Sequence, residues 1–151
     1  MQIKQITEST PLQTDDRRVL QEHFLHNFTV DELKDCLSSE IESSVILGLF
    51  DGETLLSFLL LSKFDPRDDD RVPKGKLWLE RVFTKKEHRL KGYAQKLILH
   101  AEQLTKQQFK QSELWLDTTK AAGLYENKLG YTYQFSLPWK DLTTKFYMKK
   151  L

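Results

Sequence analysis

The sequence has a single cysteine, Cys36. No disulfide can form within the chain, and a reducing compartment is expected. Long oily runs are also missing. The longest, Leu55 to Leu61, is interrupted by Ser57 and is far shorter than the roughly 20 residues a spanning helix needs, so no membrane partner is expected. Met1 to Gln13 lacks the apolar segment of a secretory leader, and the expected location is cytoplasmic. Neither sign of charge dominates. With 23 basic and 22 acidic residues the net charge is +1, which argues against a dedicated nucleic-acid binder. Four prolines and six glycines are scattered, with no linker and no repeat. At 151 residues, 39% apolar and 30% charged, the sequence is expected to be one domain, 1–151, with a core of ordinary size.

The chain then reads as alternating elements. Met1 to Ile6 is a first, edge-like strand. Thr14 is a candidate cap for a helix running to about Phe28, with Asp15 and Asp16 in the favourable first turn. Thr29 and Glu32 form a capping box for a second helix to about Glu40, in which Cys36 shares a side with Val30, Leu33 and Leu37 as a buried, inert thiol. The same Asn27-Phe28-Thr29 matches a glycosylation sequon, which a cytoplasmic chain leaves unused.

Ser44–Phe50 and Glu53–Ser62 are strands joined by Asp51-Gly52, a strong hairpin signal. The loop 64–75 carries Asp65, Asp68, Asp69 and Asp70. It lacks the alternating ligands and central glycine of a calcium loop, and no metal is expected. Leu77–Thr84 is a strand, followed by a helix to about Phe109 whose Ala94, Leu97, Ile98, Ala101 and Leu104 make one apolar stripe. Glu113–Thr118 is a strand, and Lys120 to about Leu129 a short helix with Gly130 at its C′ position. Two last strands, Tyr131–Ser136 and Thr143–Lys149, flank Pro138-Trp139-Lys140-Asp141. The order is β-α-α-β-β-β-α-β-α-β-β, an α/β (α+β) arrangement with a mixed sheet flanked by helices.

The chemistry concentrates in Arg89-Leu90-Lys91-Gly92-Tyr93-Ala94-Gln95, between a strand and a helix start. Unpaired N–H groups and the positive dipole end of a helix suit an anion. Gly92 and Ala94 keep side chains clear of the backbone, while Arg89 and Lys91 add positive charge. The P-loop and three-glycine dinucleotide patterns are both absent. A small-residue turn of this kind also serves tight strand–helix packing, so the run alone leaves both readings open.

Three blocks together resemble the GNAT superfamily of N-acetyltransferases. They are Glu80 to Ala94, with its R/Q-x-x-G-x-G/A loop; Leu124-Tyr-Glu-Asn-Lys-Leu-Gly-Tyr131, close to the family's L-Y-E-x-x-G-F/Y with one extra residue; and the closing Phe146-Tyr-Met-Lys-Lys-Leu151. The resemblance covers essentially the whole chain and implies a GNAT-like, mostly antiparallel sheet.

It also implies acetyl-CoA as co-substrate. Pantetheine would lie against backbone near Phe83 and Thr84, and the diphosphate on N–H groups of Leu90, Lys91, Gly92, Tyr93, Ala94 and Gln95, beside Arg89. An amine would attack the thioester directly, with no covalent enzyme intermediate. Tyr125 is then the candidate general acid, and it would also touch cofactor; as an alternative it only packs beside Leu124 and Leu129. Glu80 and Asp117 are candidate bases, each also able to serve as a structural partner of Arg81 or Arg89, and proton loss through water needs neither.

Two departures stand out. The connection from Asp117 to Tyr125 is short, and Thr118 or Thr119 stands where an asparagine is common. By the same resemblance the acceptor, an amine of a small molecule or peptide, would meet His23, Phe24, His26 and Phe28 with Pro138 and Trp139 opposite. The aromatics are able to hold a cation, and Phe24 and Phe28 equally fit a core. The aspartates near Asp68 are a further attraction for a cationic amine. A homodimer is common in the family, though no feature of this sequence requires one. An acyl-CoA-binding module without turnover, and an interaction domain keeping only the fold, are the competing functions.

Overall fold

The structure is a computed structural model and describes residues 1–7, 9–24, 44–62, 69–120 and 123–151. The helix expected from Thr29 to Glu40, with Cys36, lies outside these residues, as do His26, Phe28 and Asp68.

In chain order the described elements are β1 (Gln2–Ile6), α1 (Thr14–Phe24), β2 (Ser44–Asp51), β3 (Thr54–Ser62), β4 (Leu77–Thr84), a 3-10 turn (Lys86–His88), α2 (Tyr93–Gln107), β5 (Glu113–Thr118), a π-helical turn (Leu124–Lys128), β6 (Thr132–Trp139) and β7 (Leu142–Lys150). The strands form one seven-stranded sheet in the order β1-β2-β3-β4-β5-β7-β6. The pairs β1–β2, β5–β7 and β6–β7 are antiparallel and β4–β5 is parallel, so the sheet is mixed and mostly antiparallel. The chain divides into two compact units, Met1–Leu61 with Arg81–Ile98, and Ser62–Glu80 with Leu99–Leu151.

In the first unit, Ile6, Leu20, Ile46, Phe50, Leu55, Phe58 and Leu60 form the core, with Leu12, Val19 and Phe83 packed against it. The run Leu55–Ser62 is buried at every position, as expected of a strand covered on both faces. α1 begins one residue earlier than its sequence suggests. Gln13 offers the first carbonyl, to Arg17 N–H at 3.0 Å, so Thr14 sits inside the first turn and is not the cap.

In the second unit, Val72, Trp78, Trp115 and Phe146 make a compact aromatic core flanked by Phe135, Leu137 and Met148. Phe135 stacks on Phe146 with ring centroids 4.5 Å apart. The last hairpin is longer than expected: Pro138 and Trp139 belong to β6, opposite Thr143 and Leu142, and only Lys140-Asp141 turn. Pro138 is tolerated because β6 is the outermost strand, where no ladder donor is needed on one side.

Candidate active site

β4 carries the first irregularity. Its pairing with β5 runs from Leu77↔Leu114 to Leu79↔Leu116, and Arg81 then adopts φ +50°, a left-handed conformation rare for a non-glycine residue. The regular strand alternation that would put Glu80 on one face with Trp78 and Val82 is interrupted there. Side chains from Glu80 to Thr84 are partly buried or exposed, unlike Leu77–Leu79.

Phe83 and Thr84 end the strand under firm control. Ser57 Oγ donates to the Phe83 carbonyl at 2.7 Å and lies 2.8 Å from Thr84 Oγ1. The ring of His23 lies 4.1 Å from that of Phe83 and 5.5 Å from that of Phe58, so His23 is part of the packing on which Phe83 rests.

The loop into α2 has the form the sequence suggests. Leu90 and Gly92 are both left-handed, φ +63° and +78°. The first backward hydrogen bond of the helix is Lys96 N–H to Gly92 C=O at 3.1 Å. Among the described residues no partner stands against the N–H groups of Leu90, Lys91, Gly92, Tyr93, Ala94 and Gln95. A Cβ built on Gly92 meets nothing within 4 Å. Six free donors and open space above the glycine fit a diphosphate. Arg89 is partly committed: its Nε donates to Thr84 C=O at 3.0 Å and its guanidinium sits 6.0 Å from the Phe83 ring centre. Lys91 is exposed.

In the second unit the π-helical turn delivers Tyr125, which is 7% exposed. Gly130, φ +77°, closes the turn as a C′ glycine, and Tyr131 N–H reaches back to Tyr125 C=O at 2.9 Å. The Tyr125 hydroxyl has no hydrogen-bond partner among the described residues. Burial, and then the negative charge of Asp117, push its pKa up to about 12. Asp117 is thus near enough to Tyr125 to act on it electrostatically.

Sequence reasoning missed several residues that support these groups. Asp16 is fully buried and bound to Lys85, and Glu102 is buried against Tyr131 and Lys149. Both were marked by helical spacing. Asp16 shares a face with Val19, Leu20 and His23, and Glu102 lies four residues after Ile98 on the stripe of α2. A carboxylate on an apolar face was the signal. Of the aspartates offered to a cationic acceptor, Asp69 is taken by Arg71, with two side-chain hydrogen bonds of 3.1 Å, and these hold its carboxyl below the usual range. Among the described residues no group of three or more His, Cys, Asp or Glu side chains gathers as a metal site, and no helix is long and apolar enough to cross a membrane.

Comparison with solved structures gives the fold. A probable acetyltransferase from Staphylococcus epidermidis aligns with a TM-score of 0.69 at 18% identity, covering 99% of this chain and 98% of that one. Spermidine/spermine N-acetyltransferase SpeG from Vibrio cholerae aligns at 0.71 and 15%, covering 99% and 91%. An aminoglycoside 6′-N-acetyltransferase complexed with coenzyme A aligns at 0.70 and 14%, covering 99% and 97%. Comparison with curated proteins by sequence finds no match. The family profile of the acetyltransferase (GNAT) family matches residues 9–131, most of the sequence. The chain therefore belongs to the GNAT family of N-acetyltransferases and is an acyltransferase.

Proposed function

We propose that this protein transfers acetyl from acetyl-CoA directly to a primary amine of a small molecule or peptide, with residues 1–151 working as one catalytic domain in the cytoplasm. The observation that carries the reading is the run of free N–H groups from Leu90 to Gln95 around the open left-handed Gly92. These donors, with Lys91 and Arg89, hold the diphosphate, and the backbone at Phe83 and Thr84 holds the pantetheine arm. Bound acetyl-CoA supplies a thioester already activated toward an amine, so the protein need only orient, desolvate and stabilise charge.

Tyr125 acts as a neutral phenol. Its pKa of about 12 lies roughly 3.5 units above that of an ordinary thiol, so complete proton transfer to a thiolate is uphill by about 5 kcal/mol. Donating a hydrogen bond to the sulfur as charge develops is the role this environment favours. Glu80 and Asp117 are the carboxylates offered for the ammonium proton. Glu80→Gln and Asp117→Asn, compared through the acid limb of kcat/KM, identify which one serves, or neither. Two structural relatives carry spermidine and aminoglycoside in their names, so polyamines and aminoglycosides are the first acceptors to screen.

The test is thermal unfolding with and without acetyl-CoA for wild type and Gly92→Glu. Ligand at about 100 times Kd adds roughly 2.7 kcal/mol, a rise on the order of 5–10 °C for a chain of this size. Gly92→Glu meets no steric clash at its Cβ but strains a left-handed backbone, so its ligand-free melting temperature is the control. The folded variant should lose the rise because its carboxylate competes for the same donors. A folded wild type with no rise would sink the reading.

A further inference from the structure

Asp16 is fully buried, and the chemistry proposed above does not use it. A carboxylate persists inside a protein only with partners. Oδ2 of Asp16 accepts the Leu55 N–H at 3.1 Å, and Oδ1 accepts the Lys85 ammonium. Lys85 N–H donates to the Leu56 carbonyl at 3.1 Å. The next residue of β3, Ser57, holds the Phe83 carbonyl and the Thr84 hydroxyl. Two consecutive residues of β3, Leu56 and Ser57, therefore fasten three consecutive residues of the other segment, Phe83 to Lys85, and Asp16 ties the preceding β3 residue, Leu55, to Lys85. The chain then enters the 3-10 turn, with His88 N–H on the Lys85 carbonyl at 2.9 Å, and after Arg89 reaches the free N–H groups.

An ion pair is a poor way to gain stability here, since a well-packed apolar pair would serve as well or better. What it supplies is a fixed place for Lys85. We propose that Asp16 and Lys85 are a positioning pair, setting the Phe83–Thr84 backbone and the entry to the N–H run, so that acetyl-CoA binding depends on a residue buried out of its reach. The proposal rests on the acetyl-CoA reading above. It assigns Asp16 no contact with cofactor or amine.

Asp16→Asn is the variant to make, because the amide oxygen still accepts the Leu55 N–H while the charge is gone. The KM and calorimetric Kd for acetyl-CoA should rise about tenfold, with amine KM and kcat at saturating acetyl-CoA within about twofold of wild type. Lys85→Arg should retain wild-type affinity. Asp16→Asn with Lys85→Gln should be no worse than the weaker-binding single variant, as expected for two ends of one interaction. If Asp16→Asn does not fold, Lys85→Gln is read in its place. A lower melting temperature with unchanged acetyl-CoA affinity overturns the positioning role and leaves a structural pair. Additive losses in the double variant overturn it as well. A wild type that neither binds nor turns over acetyl-CoA is a different failure, overturning the cofactor reading and this role with it.

Discussion

The hydroxyl of Tyr131 donates to Glu102 Oε1 at 3.1 Å, and the Lys149 ammonium meets both oxygens of the same carboxylate at 3.0 Å. Tyr131 in turn presents its ring to Tyr125 edge-to-face, centroids 5.9 Å apart at 81°. The carboxylate in the middle of α2 thus secures the candidate catalytic tyrosine through one intermediary.

Truncating Glu102 to Ala leaves a buried phenol and an ammonium without their acceptor, and we expect a loss of about 2–3 kcal/mol in urea unfolding. Tyr131→Phe removes one hydrogen bond and leaves the ion pair, for a loss of about 1 kcal/mol. Both should lower kcat severalfold in wild type and have little further effect in a Tyr125→Phe background. Equal stability of Glu102→Ala and wild type would show that the network holds nothing.

The alkaline limb follows from the same cluster. Burial raises the pKa of Tyr125 to about 12, and Tyr131 is pushed up further by burial and by Glu102. A tyrosine whose folded pKa exceeds its unfolded value near 10 contributes stability that is whole below about pH 10 and is lost as pH rises through the folded value. Native protein should therefore show deficient tyrosinate absorbance at about pH 11, recovered on unfolding. The kcat profile should have no Tyr125 limb below about pH 11. A limb near 10 would mean that the phenol is solvated in the working enzyme.

Much of this was legible beforehand. The ends of Leu77–Thr84 and Glu113–Thr118 were read to the residue, because apolar alternation and polar flanks mark strands within a covered sheet. Gly92 and Gly130 were read as turn glycines and are left-handed. The unread features share a cause. Arg81, Leu90 and Lys110 are left-handed without glycine, so tertiary context, and not residue type, imposes the backbone there. α2 ends at Gln107, two residues before the expected Phe109, and left-handed Lys110 follows it, with Gln111 N–H reaching the Thr105 carbonyl at 3.0 Å. The π-helical form of Leu124–Lys128 also left no trace beyond the one extra residue in its motif. Asp16 and Glu102 were visible as charges on apolar faces, but their partners Lys85 and Tyr131 are distant in sequence.

Arg89 and Lys91 should separate by experiment. Lys91 is an exposed charge beside free N–H groups, so Lys91→Ala should weaken acetyl-CoA binding about two- to fivefold, less so at high salt, with stability unchanged. Arg89 also braces the Thr84 carbonyl. Arg89→Ala should lose affinity and, in addition, melting temperature. Arg89→Lys should fail to restore the brace, because a point charge does not reproduce the planar guanidinium. Identical behaviour of the two alanine variants would refute this division.

The exposed ring of Trp139, 58% accessible at the tip of the last hairpin, carries the Lys140 ammonium 5.6 Å from its centre. If that ring receives a cationic amine, as the resemblance implies, the acceptor competes with Lys140 for one face. An exposed cation–π contact contributes about 0.5–1 kcal/mol, so removing the competitor should lower amine KM about two- to fivefold. Lys140→Ala should therefore improve the acceptor KM, and Trp139→Ala should worsen it, with acetyl-CoA KM unmoved in both. The pair of opposite signs matters because a general disturbance of the hairpin would push both variants the same way. If both raise amine KM, or neither changes it, Trp139 is surface and the acceptor binds elsewhere.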